Sequence, residues 1–499
     1  MRYFGRGSDF TFADTITARY ARIPPSSCRD LGAETRFSQS VGPTDSTHTL
    51  LDTVNQSFFD SMVELPSMQM QRSLLDAYFE QVNTIFPIIH RMQFEKEYQA
   101  GLLNTDLSFK ALVYCIFALA SRYVDEVEDP SVPPDLIGCS TYPARGWQYF
   151  KFSYSYGHAT SMLPGHLRDL QCNTLQILWL VTACTPSTTW VTTGIAVRRA
   201  VDAGLHVENG RWQRSVIDDQ LRKRIFHILF TFDQTLCAMS GRPLAFQHND
   251  SDIDDPLDIS DESLDEWDKA CKRYKQEIPY TTSKGRPPAP ACNPSNSPGP
   301  VKAILMLSNL LKLFTKLMKE VYGRDGWYDK IWSTTHPLDF MPEIHRFEGL
   351  LDAWEDDLPE GFVWQANRPD NQMCLSTTLH SYYYHVRITL YRELLLSYGR
   401  AAASAEKRAR FFSRSFPVDL MAKCNQYIQK MHEMYATVSR RGLLPRCTYH
   451  APSHLTMTAL MSLSLASIQV KVFDIALDKT DEFKTANKLI SILNELVPL

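Results

Sequence analysis

The sequence predicts an all-α fold: a large multi-helix domain with a helical C-terminal extension. Three observations predict it. Apolar residues recur at three- and four-residue steps along most of the chain, sustained two-residue alternation is almost absent, and Pro and Gly punctuate the intervals. With 44% hydrophobic and 22% charged side chains over 499 residues, the chain has a globular balance and can bury a large core.

Residues 1–65 are rich in Ser, Thr, Arg and Pro and are expected to be largely irregular, with one short helix around Leu50 to Met62. A first helical part is expected over 66–277. From Ser73, the residues Leu74, Leu75, Tyr78, Phe79, Val82 and Ile85 form one stripe. Pro87 ends that helix, because it lacks an N–H and disfavours helix in the residue before it. Helices follow at Arg91 to Ala100, Leu107 to Tyr123, Arg145 to Ser161, Asp169 to Ala183, Thr189 to Ala203 and Asp218 to Met239, with a short one at Asp265 to Lys275. Residues 278–301 read as a Pro/Ser-rich linker loop, since Pro279, Pro287, Pro288, Pro290, Pro294, Pro298 and Pro300 forbid a helix there. The second helical part, 302–499, opens on the stripe Leu307, Leu310, Leu311, Phe314, Leu317, Met318 and Val321. It continues with helices at Pro342 to Asp357, Thr377 to Ser397, Val418 to Arg440, Pro452 to Asp474 and Asp481 to Leu496.

Composition narrows the function classes. Lys+Arg 52 against Asp+Glu 56 gives a net charge of −4, which does not suit a domain that holds nucleic acid through bulk charge. No secretory signal follows Met1. The apolar run Ala111 to Ala120 falls short of the roughly 20 residues a membrane span needs. The run Leu455 to Val470 is broken by Ser and Thr. A soluble intracellular chain without membrane partners is expected. The 11 cysteines include no pair two to four residues apart, so paired-cysteine zinc ligation is not expected and the thiols should be reduced and buried.

One constellation has metal-site spacing. Asp254, Asp255 and Asp258 form DDxxD, which in helical isoprenoid enzymes holds magnesium and diphosphate from one helix face. Pro256 lies inside the motif and Pro243 upstream, so an acidic loop at a helix start is the preferred reading. No glycine-rich phosphate loop, nucleophile elbow or HExxH occurs, and His90, His166, His206, His227 and His385 are scattered. An enzyme is not expected. Three basic clusters could touch phosphate, and a structural role is preferred for each: Arg222-Lys223-Arg224, read as the solvated face of its helix, Lys407 to Arg410 with Arg414, and Arg440-Arg441 with Arg446, where Arg440 and Arg441 lie at a helix end capped by Gly442.

The stretch Trp190 to Pro256 carries the most specific pattern. Trp190 to His206 reads as a helix with a small-residue contact at Gly194 and a left-handed terminator at Gly204. Ser215 to Asp218 has the form of a capping box, and the helix it opens closes at Gly241-Arg242-Pro243. Together with Asp233 and Asp252-Ile253-Asp254, this order resembles the fungal transcription-factor regulatory domain, the middle homology region of binuclear zinc-cluster regulators. Leu75 to His90, Leu175 to Leu178 and Tyr384 to Arg392 extend the resemblance over about Leu74 to Leu396. Gln220 and His227 depart from it, where members carry an acidic residue and Trp. Its structural motif residues fall here on Gly194, Gly204, Arg222, Arg224, Asp233, Gly241, Arg242, Pro243 and Asp254.

The resemblance implies a nuclear regulator of RNA polymerase II transcription, with transcription machinery or co-regulators as partners; a small-molecule effector and a homodimer are compatible with it. Zinc and DNA binding are implied by the family. Their six-cysteine module is missing from this sequence, so this chain is expected to need no cofactor of its own and to reach DNA only through such an N-terminal module. The DDxxD enzyme and a protein-interaction scaffold stay open as alternatives. As a further expectation, Arg242 pairs with Asp233 or Asp254 near the end of its helix.

Overall fold

The computed structural model describes Asp9, Phe12, Ala13 and Ile16, then residues 64–124, 145–208, 215–277, 287–401 and 418–496, apart from 162, 164, 184, 185, 248, 249, 325, 334–336, 474 and 475. Among the described residues there are 16 α-helices and no strand, as the periodicity predicts. The proposed Leu50 to Met62 helix and the Lys407 to Arg414 cluster lie outside the described residues. None of the described helices is long and apolar enough to cross a membrane.

The first part is built from α1 (Met68–Ala77), α2 (Arg91–Gln99), α3 (Leu102–Thr105), α4 (Leu107–Ala120), α5 (Trp147–Ala159), α6 (Leu167–Thr182), α7 (Pro186–Asp202), α8 (Val216–Ser240) and α9 (Asp261–Glu277). The second comprises α10 (Pro300–Tyr322), α11 (Trp327–Ser333), α12 (Met341–Asp356), α13 (Asp370–Ala401), α14 (Val418–Arg440), α15 (Ala451–Phe473) and α16 (Asp481–Leu496). Packing runs through the molecule as a chain of neighbours. Helix α4 lies against α5 and α6, α6 against α7, α7 against α8, and α8 against α10; α10 meets α13, which carries α14 and α15, and α15 pairs with α16. One apolar core therefore extends from Phe12 to Leu496 across both parts. Each fully buried side chain in it, such as Phe109, Ile225 or Leu310, contributes about 2 kcal/mol.

The helix ends follow local chemistry. Asp106 opens α4 by accepting from the N–H groups of Ser108 and Phe109, and His166 with Asp169 forms a capping box on α6. Ser215 accepts from the Asp218 N–H at 3.0 Å, as its spacing predicts. Gly204 (φ 68°), Gly241 (φ 62°) and Gly442 (φ 69°) are left-handed, and at each the next N–H reaches back five residues: Leu205 to Ala200, Arg242 to Cys237 and Leu443 to Val438.

Some local expectations change. The first helix does not persist to Pro87: α1 passes into a π-helical turn, Tyr78–Val82, and stops. The Asn83 side chain then exchanges two hydrogen bonds with the backbone of Ile89, closing the loop over Pro87. At Gly194, a Cβ would meet, among the described residues, the tip of Arg198 at 3.1 Å and no neighbouring helix within 4 Å. The basic cluster on α8 is not a solvated face: Lys223 is 7% and Arg224 2% exposed. Lys223 bonds Glu208 at 2.9 Å, and Arg224 holds Asp261 at 3.2 Å and the Ile259 carbonyl at 3.3 Å. An amphipathic pattern shows which face is apolar, and it cannot show that a later segment, here 251–261, returns to cover the charged face. Of residues 1–65, Asp9, Phe12, Ala13 and Ile16 are helical, and Phe12 and Ile16 join the core.

Candidate functional site

A cleft of about 440 Å³ opens where the N-terminal ends of α2, α4, α6 and α8 converge. Helix N-termini present unpaired N–H groups and a partial positive charge, so carboxylates settle there. Here Asp106, Asp169 and Asp218 occupy those ends and Glu97 joins them, against one arginine, Arg168. The charges are largely spent on one another. Arg168 bridges Glu97, at 2.9 Å, and Asp106. Asp169 accepts from the Ser108 hydroxyl at 3.0 Å, the Tyr156 hydroxyl at 3.0 Å and the His166 N–H at 3.2 Å.

His90 sets the back wall. Its Nδ1 accepts from the Gln93 N–H at 3.3 Å, which leaves Nε2 protonated and donating to the Asp261 carbonyl at 3.1 Å. Asp261 in turn accepts from the Arg91 N–H and from Arg224. The cleft is thus a pre-bonded polar chamber with Phe94 and Tyr156 as its aromatic lining, and volume alone assigns it no ligand.

The sequence-predicted residues gather elsewhere, at the joint between α7 and α8. Gly204 ends α7, and Arg222 donates to the Ala203 carbonyl at that same end, at 3.1 Å. Asp233, 1% exposed, accepts from the Ala245 N–H at 2.8 Å and thereby ties the chain after Gly241-Arg242-Pro243 back onto α8. Burial raises its pKa, and the Ala245 and Phe246 N–H groups and the Cys237 thiol work against that rise. Arg242 lies over the Trp190 ring, 4.6 Å from its centroid. Asp254 stands 3.8 Å from Lys223. Arg224 holds Asp261, whose backbone carbonyl meets His90 at the back wall of the cleft.

The DDxxD carboxylates do not converge. Asp254 and Asp255 are 78% and 73% exposed and face Lys223 and His227, whereas Asp258 is buried and gives both oxygens to the N–H groups of Gly299 and Lys302 at the start of α10. Among the described residues no group of three or more His, Cys, Asp or Glu is arranged to hold a metal ion.

Sequence reasoning missed a buried polar chain in the second part. His454 Nδ1 meets Ser381 Oγ at 2.6 Å, Ser381 meets the Tyr435 hydroxyl at 2.8 Å, Tyr435 meets His450 Nδ1 at 2.8 Å, and His450 Nε2 meets Thr378 at 3.3 Å. His385 stacks on His454. Burial lowers the pKa of His380, His385 and His454, and takes His450 to about 3. Ser381 and His454 are spaced as a nucleophile and its base, yet both are 0% exposed, out of a substrate's reach. The polar spacing on α13 (Thr378, Ser381, His385) was visible in the sequence; its partners on α14 and α15 were not.

The model of the fungal specific transcription factor domain matches residues 75–355. The chain belongs to this family. That span runs from α1 to the last turn of α12 and contains both the cleft and the α7–α8 joint. Curated relatives agree. An uncharacterized transcriptional regulatory protein of Schizosaccharomyces pombe is 22% identical over 353 residues, covering 68% of this chain and 40% of the relative. The transcriptional activator protein acu-15 of Neurospora crassa is 22% identical over 346 residues, 67% of this chain and 32% of its own length. The activator of stress genes 1 of Saccharomyces cerevisiae is 25% identical over 347 residues, with 66% and 32% covered. The chain thus matches between about a third and two-fifths of the length of these relatives.

Proposed function

We propose that this chain is the helical regulatory body of a fungal transcription regulator and works in the nucleus through transcription machinery or co-regulators. The family match over 75–355 carries the reading, and the printed names of the relatives, regulators and activators of transcription, support it. DNA contact is assigned to a zinc-cluster module, because these 499 residues contain no cysteine pair at zinc-ligand spacing. The parts 66–277 and 302–499 act as one unit in this reading, since one core runs through both.

The test is a tethered reporter. Fused to an unrelated sequence-specific DNA-binding module, the chain should raise or lower expression from a promoter carrying that module's site, relative to the module alone. Expression equal to the module alone, in both an activation and a repression reporter and with the fusion shown to be present and folded, would sink the proposal.

A further inference from the structure

The bonding inside the cleft of about 440 Å³ leaves two acceptors without donors. Gln171, on α6, lines the cleft and is 8% exposed. Its Nε2 donates to the Ile88 carbonyl at 3.0 Å, and its Oε1 receives no hydrogen bond from a described residue. Asp218, half-buried in the first turn of α8, lines the same cleft. Its N–H donates to Ser215, and its carboxylate has no hydrogen-bond donor among the described residues. Lys272 feels that charge from a distance while bonding Asp268 at 2.6 Å.

The two acceptors stand on neighbouring helices. Leu167, at the start of α6, packs against the cluster that holds Val216, Ile217 and Leu221 of α8, so the opening turns of α6 and α8 lie side by side. The charge balance agrees with the bonding. Glu97, Asp106, Asp169 and Asp218 face one guanidinium, Arg168. Each helix N-terminus at the cleft adds roughly half a positive charge, which leaves it short of about one positive charge. An acceptor drawn from water without a donor is costly, and a cationic donor removes that cost. The remaining walls are apolar, with Phe94, Leu112, Tyr156 and Leu221 among them. The volume lies within the range of small-molecule pockets, roughly 300–1,000 Å³.

We propose that the cleft binds a small organic amine that carries one primary ammonium on an apolar, ring-sized body. Asp218 is the counter-charge of the ammonium, and Gln171 Oε1 is a further acceptor beside it. The ammonium supplies three donors from one compact charge, and the body covers the apolar walls. Arg168, held in place by Glu97 and Asp106, repels a second positive charge on the ligand. This site is independent of the reporter assay, because its readout is binding to the purified chain.

The experiment titrates the full chain calorimetrically with phenethylamine, which is protonated at neutral pH, and with phenethyl alcohol, its uncharged analogue. Saturable binding of the amine is expected, about tenfold or more tighter than the alcohol. Asp218→Asn should weaken the amine by about tenfold or more and leave the alcohol unchanged. Asp254→Asn, which removes an exposed carboxylate outside the cleft, should keep the parent affinity and so separates the site from general attraction to an acidic chain. The comparison of amine with alcohol needs no variant and stands even where a substitution damages the fold. Equal affinity for the two probes overturns the proposal, as does an amine signal that never saturates. The parent affinity surviving in Asp218→Asn overturns it too.

Discussion

The cleft among the four helix N-termini and the buried histidine chain of the second part are both polar, and they settle their charges in opposite ways. The cleft is roomy, about 440 Å³, but its charges are compensated from within: Arg168 is shared by Glu97 and Asp106, and Asp169 receives three donors. The second part instead buries the chain His454, Ser381, Tyr435 and His450, whose histidines burial keeps uncharged. Volume says what could fit. Charge persists where ion pairs and solvent offset it, and burial without a counter-charge enforces neutrality.

The largest expected effect breaks the cleft side of the comparison. Arg224→Ala removes the guanidinium that holds Asp261 and the Ile259 carbonyl, and leaves a largely buried carboxylate behind the cleft wall. A loss of about 3–5 kcal/mol is expected by urea unfolding. A loss below about 1 kcal/mol would mean that the wall does not depend on this pair.

Acid acts next, on the second part. His380, His385, His450 and His454 are kept neutral by burial, so their folded pKa values lie below the unfolded value near 6.5. The unfolded chain then binds protons that the folded chain refuses, and stability falls as pH drops below about 6.5. His450, lowered to about 3, alone accounts for about 2 kcal/mol by pH 5. Unfolding free energies at pH 7 and pH 5 check this, and replacing His450 by Gln should flatten the slope.

Two smaller effects sharpen the contrast. Arg168→Ala breaks pairs that are a quarter to a third exposed, so no more than about 1 kcal/mol is expected. Its informative readout is a more acidic, more open cleft, detectable as new weak binding of a diamine. Asp254→Asn, at a side chain 78% exposed, should change stability by less than about 0.5 kcal/mol. A larger loss would show that its 3.8 Å approach to Lys223 matters more than its exposure allows.

Much of the scaffold was legible because its signals are local. Helix periodicity needs only the neighbouring turns, and the terminators at Gly204, Gly241 and Gly442 are written as glycines just past the apolar stripe. The cap at Ser215 is read over three residues. The sites were not legible, because their partners are distant in the chain. Arg446 meets Thr84 across 362 residues, and Arg168 meets Glu97 across 71. The reading of Lys223 and Arg224 as solvated failed for the same reason. Their faces are covered by Glu208, Asp261 and the segment between Ser251 and Asp261, which no helical wheel of α8 contains. Asp258 looked like one of three metal-type carboxylates, and its capping role on α10 depends on where a proline-rich stretch lands.

The central claim is that ion pairs compensate the charges of the cleft, whereas burial holds the histidine chain of the second part neutral. Unfolding free energies of the full chain at pH 7 and pH 5, set beside those of His450→Gln, test it most directly. A loss of about 2 kcal/mol or more between pH 7 and pH 5, reduced in His450→Gln, is the predicted result. Equal stability at the two pH values, or an unchanged slope in His450→Gln, would contradict it.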